Sequence, residues 1–148
     1  MARLKLLRVV VIAILVLLAF QFELGMALNL SPALPDVPRL GVSISAVWTA
    51  LHTVGGVATT HALLGSFLVI VTLAALILSV SSRSTSIMVI GILCFITTSF
   101  AAMTGILFTL SGFKDDGLSH GMATNFLLSF ALHFVQVCIL SGKVRRQT

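Results

Sequence analysis

The sequence predicts an all-α fold, a bundle of four transmembrane helices with an amphipathic outer segment before the second span. Three observations predict it. Of 148 residues, 58% are hydrophobic and 9% charged, against about 25% charged in ordinary soluble domains. Four stretches, at about 7–28, 58–80, 86–110 and 119–141, are apolar over the ~20 residues that a helix needs to cross hydrocarbon. No segment shows the alternating polarity of a membrane barrel strand, and helices satisfy their own backbone groups in lipid. The whole chain, 1–148, reads as one integral membrane domain.

The first span opens MARLKLLRVVVIAILVLLAF, a basic start followed by an apolar run. That pattern is shared with secretory signal peptides, and Gly25-Met26-Ala27 has the small-x-small form of a cleavage site. The apolar character continues past Gln21 and Glu23 to Leu30, which favours an uncleaved span.

The outer loop NLSPALPDVPRLGVS holds all three prolines and is non-helical at its start. SISAVWTALHTV then places Ile44, Val47, Trp48, Leu51 and Val54 on one face and Ser45, Thr49, His52 and Thr53 on the other. This is an amphipathic helix within 29–57, with Trp48 as an interfacial anchor. Gly55-Gly56 permits a bend into the second span; one long helix over 44–80 is the alternative.

Lys and Arg set orientation. Arg3, Lys5, Arg8, Arg83, Lys143, Arg145 and Arg146 fall on one side, and only Arg39 and Lys114 on the other. Both termini are therefore expected on the cytoplasmic side of the cell membrane. The basic pI of about 10.3 reflects these membrane-flanking cations and gives no reason to expect nucleic-acid binding. The immediate partner is the lipid bilayer, with another membrane subunit or a second copy as the expected protein partner.

Helical phase sorts the spans into faces. His61, Gly65, Thr72, Ala75 and Ser79 share one stripe of the second span. Gly91, Cys94, Thr98, Ala102, Gly105 and Thr109 share one of the third, and Asn125, Ser129, His133 and Gln136 one of the fourth. Small and polar residues mark helix–helix interfaces in membranes, so the three stripes are expected to converge on a polar interior. Thr72, Thr98 and His133 should lie about 15–18 Å above the cytoplasmic ends. His61 should lie about 31 Å up, near the outer boundary. Glu23 is costly to bury ionised and is read as part of the polar interior, with His61 as its natural partner.

Four histidines raise the question of haem, for which imidazole is a common axial ligand. His52 and His61 are separated by about 13.5 Å of helix and His120 and His133 by about 19.5 Å, so a ladder of two haems does not fit. His61 and His120, at nearly equal depth, are the candidate ligands of a single haem, and no other metal site is expected. Cys94 and Cys138 lie within apolar spans without a CxxC spacing and read as small core residues. Lys114, Asp115 and Asp116 read as a solvated outer loop. No phosphate loop, HExxH or nucleophile elbow is present.

HALLGSFLVIVTLAAL, a third span ending AAMTGILF and HGMA opening the fourth together resemble one four-helix half of the heme A synthase family. The resemblance covers about 80 residues and implies an outer haem site with His61 and His120 as its histidines. Thr60 and Ala62 stand where that family flanks its second-helix histidine with an acidic residue and an arginine. FELGMALNLSPALPDVP with HALLG, AAMTG and SHGMA is also similar to a group of small prokaryotic four-span proteins, which implies the same span count. Three functions are compatible with these readings. The first is a small haem- or quinone-associated subunit of a membrane redox system. The second is a non-catalytic accessory or assembly subunit of a larger membrane complex. The third is a small transporter or proton pathway using Glu23, His61 and His133.

Overall fold

The computed structural model describes residues 2–30, 37–38 and 41–145. Pro32 and Pro35 of the outer loop and the cations Arg39 and Arg146 lie outside the described residues. Among the described residues there are five helices and no strand: α1 (Ala2–Asn29), α2 (Ile44–Val54), α3 (Gly56–Val80), α4 (Thr85–Leu110) and α5 (Asp116–Arg145). α1, α3, α4 and α5 are each long and apolar enough to cross a membrane. They pack as an up-down four-helix bundle in the cyclic order α1–α3–α4–α5, and α2 lies across the α3 and α4 end that is remote from the termini.

The bundle is built on a 3.5-residue repeat. α1 buries Leu7, Val11, Ile14 and Leu18; α3 buries Leu68, Thr72, Ala75 and Ser79; α4 buries Ile87, Gly91, Cys94 and Thr98; α5 buries Ser129, His133, Gln136 and Leu140. Each set alternates steps of four and three, the signature of left-handed supercoiling at crossing angles of about 20°. Lipid tails are as apolar as leucine, so packing and interhelical hydrogen bonds hold such helices together. The α1 seam is aliphatic through its first four positions, whereas the other three seams carry the polar residues.

Many serine and threonine hydroxyls in the spans are satisfied by bonding back to their own helices. Ser66 donates to Ala62 O (2.9 Å), Thr104 to Phe100 O (2.8 Å) and Thr109 to Gly105 O (3.0 Å).

Local chemistry sets the element ends. Ser43 caps α2, its Oγ accepting from Ala46 N at 3.0 Å. Gly55, at φ +117°, breaks the chain between α2 and α3, so 44–80 is two helices and not one. α2 turns Ala50 and Leu51 inward and leaves Ile44 and Trp48 exposed. α4 ends on Gly112 at φ +73°, where Phe113 N bonds to Phe108 O at 3.0 Å and the two rings meet edge to face at 5.5 Å. This is a Schellman-type stop with its apolar contact. A side chain on Gly112 would collide with the Val37 carbonyl, so this turn also holds part of the outer loop. α5 begins one turn earlier than the sequence pattern indicates, because Asp115 Oδ1 accepts from Leu118 N at 3.1 Å and caps the helix before Ser119.

Candidate functional site: a layered polar interior

Polar side chains occupy the bundle at three levels. The outermost level joins α1 to α3. Gln21 Nε2 donates one hydrogen to ring Nε2 of His61 at 3.1 Å and the other to the His61 carbonyl at 3.1 Å. Because an amide nitrogen only donates, this Nε2 accepts and the ring proton sits on Nδ1. Two glycines make room: a Cβ on Gly65 would lie 3.2 Å from Gln21 Nε2, and one on Gly25 would lie 3.3 Å from His61 Cε1. Among the described residues, Nδ1 of His61 and Oε1 of Gln21 are buried without a hydrogen-bond partner.

The middle level joins α4 to α5. The Thr98 hydroxyl donates to Cys94 O at 2.8 Å and accepts from Ser129 Oγ at 2.6 Å. His133 Nδ1 donates to Ser129 O at 2.7 Å, with Ser129 Oγ 3.3 Å away. His133 is 0% exposed, and its Nε2 has no hydrogen-bond partner among the described residues. Thr72 on α3 is 1% exposed, and its Oγ1 is likewise unpartnered.

The innermost level, toward the termini, joins α3, α4 and α5. Gln136 Nε2 donates to Ser79 Oγ at 3.0 Å, Ser79 Oγ donates to Ala75 O at 2.7 Å, and Cys94 Sγ lies 3.7 Å from Gln136 Oε1. Gly91 admits this contact, since a Cβ there would lie 2.6 Å from Ser79 Cβ. The Ser79–Gln136 bond also fixes register. α3 and α5 run in the same direction, so seven residues outward Thr72 stands level with Ser129. Below this level Lys143 Nζ donates to Ser84 Oγ at 2.5 Å, tying the end of α5 to the start of α4.

The residues predicted for the interior therefore have different placements. Thr72, Thr98, Ser129, His133 and Gln136 are fully buried in it. Asn125 is half-buried and its Nδ2 donates to Gly121 O on its own helix at 2.8 Å. Glu23 is exposed and lines a groove between α1 and α5, and it makes no hydrogen bond to His61. The partner of His61 is Gln21, two residues earlier, which the sequence reading passed over. Once the structure places the α1 seam on Leu7, Val11, Ile14 and Leu18, Gln21 and Gly25 continue it at helical spacing and Glu23 does not.

His120 is exposed in the second turn of α5. α3 and α5 stand diagonally across the bundle, meeting through the Ser79 and Gln136 side chains, and the His61 ring bonds to Gln21 on α1. The His61 ring is thus engaged by Gln21, and among the described residues no hydrogen bond joins it to His120. His52 is exposed and packs edge to face on Trp48 at 4.6 Å. A second lipid-side groove, between α3 and α4, is lined by Ser66, Ser99, Ala102, Met103 and neighbouring aliphatics. Among the described residues no group of three or more His, Cys, Asp or Glu side chains is placed to hold a metal ion. No family model, curated protein or solved structure matches this chain.

Proposed function

We propose that this multi-pass membrane protein is a non-catalytic accessory or assembly subunit of a larger membrane complex, with both termini in the cytoplasm and α2 at the outer end of the bundle. One observation carries the reading. The polar interior is spent on joining helices, through Gln21–His61, Thr98–Ser129 and Ser79–Gln136, with a glycine giving clearance at the first and last of these contacts. Such matched polar and small residues are how membrane helices pack. The Lys and Arg bias supports the orientation.

A small haem- or quinone-associated subunit is the second reading. It draws on the unpartnered imidazole nitrogens of His61 and His133, each a potential ligand or proton site. The test is an optical spectrum of the detergent-purified protein, oxidised and then reduced with dithionite, after haem is supplied during expression and again to the purified protein. The accessory reading predicts a featureless spectrum. A Soret band with sharp reduced bands, lost in His61→Ala or His120→Ala, overturns it in favour of haem.

A further inference from the structure

Glu23 is an acid in the wrong surroundings for a lipid-facing residue. It sits about 22 Å above Arg8 along α1, inside a hydrocarbon layer of about 30 Å. Its neighbours in the α1–α5 groove are Ala19, Phe20, Phe22, Phe126 and Phe130. Among the described residues none is hydrogen-bonded or ion-paired to its carboxylate. An acidic side chain at this depth is expensive unless it is paired, and in low dielectric its attraction for a cation is strong.

We infer that the α1–α5 groove is a docking site for a membrane helix of another protein that presents a lysine or arginine at the depth of Glu23. This rests on the accessory-subunit reading and names the chemistry of its partner. The shape agrees with the charge. On α1 the groove runs from Val16 to Glu23, about two helical turns. Exposed Ala19 gives a partner backbone a place to approach closely. Phe22 stacks on Phe126 with centroids 6.2 Å apart, which makes a firm floor. A second copy of this chain is the poorer occupant. Two-fold pairing through the groove would set Glu23 against Glu23, and residues 56–80, 86–110 and 117–142 contain no Lys or Arg to offer instead.

The test uses the full chain, dye-labelled at its C-terminus, in neutral phosphatidylcholine vesicles. Energy transfer is measured to two synthetic leucine-rich membrane helices, identical except for one Arg or Leu set about 8 Å below the outer headgroups. The Arg helix is expected to associate about tenfold more tightly than the Leu helix. Glu23→Gln, checked for unchanged helicity and unfolding, should abolish the difference, and Phe130→Ala should weaken binding of the Arg helix. Equal association of the two helices overturns the docking site, as does an advantage for Arg that survives Glu23→Gln. Self-association of the labelled chain that the Arg helix cannot displace overturns it in favour of a homodimer. Each of these leaves the accessory reading standing, since that reading falls to the haem spectrum.

Discussion

Gly91 is the tightest point of the interior, because any side chain there must displace Ser79 and with it the Gln136 hydrogen bond. Gly91→Ala should cost about 1–3 kcal/mol, the usual range for an overpacked core, read as a shift in reversible unfolding in mixed detergent and dodecyl sulfate. A neutral Gly91→Ala would mean that α3 and α4 are not in this contact. A second comparison separates the two polar residues of α1. Gln21→Leu should destabilise by about 0.6–1.7 kcal/mol, the span of interhelical hydrogen bonds in membranes. Glu23→Gln should stay within about 0.5 kcal/mol, as for surface changes. The reverse order would return Glu23 to the interior. Residue-level reading of the sequence reached the buried faces of α3, α4 and α5, because polar residues on an apolar helix mark phase clearly. It failed on α1, where the buried seam is aliphatic and the surrounding faces are too. With no phase marker, the acid drew attention from the glutamine that lies on the seam.

At the scale of elements, four spans were legible from length and hydropathy alone, while the join between α2 and α3 was not. The sequence permits either a bend or a continuous helix, since two glycines tolerate both. The backbone at Gly55 decides it, with a positive φ that side chains other than glycine rarely adopt. Gly55→Ala should therefore cost about 1–3 kcal/mol of strain or straighten the join. With spin labels at Ser45 and Ile106, straightening would appear as a longer distance by pulsed electron resonance. An unchanged distance and unchanged stability would show that Gly55 does not set the bend. The start of α5 was misplaced by a turn for a simple reason: Asp115-Asp116-Gly117 reads as turn chemistry, yet an Asp just before a helix is also a good N-cap. Composition does not separate those uses; the Asp115–Leu118 hydrogen bond does.

For the whole molecule, the four seams form one supercoiled unit whose polar levels lie at different heights and join different helix pairs. α1 is tied to α3 at the outer level, α4 to α5 in the middle, and α3 to α5 toward the termini. No single level holds all four helices, so each bond fixes one relative height and together they fix the register. An even number of spans puts both ends on one side. Reporters fused separately to the two termini should both be cytoplasmic, and opposite locations would remove one span from the membrane. The pairing of levels was beyond reach of the sequence, because the 3.5-residue repeat is hidden where the lipid-facing residues are as apolar as the buried ones. The central claim is that these buried polar groups join helices. The most direct measurement is a double-mutant cycle on Thr98→Val and Ser129→Ala, read by reversible unfolding. The predicted result is a favourable coupling of about 0.6 kcal/mol, and at most about 1.7 kcal/mol. Strict additivity of the two substitutions would contradict it, and the polar interior would then need a role other than packing.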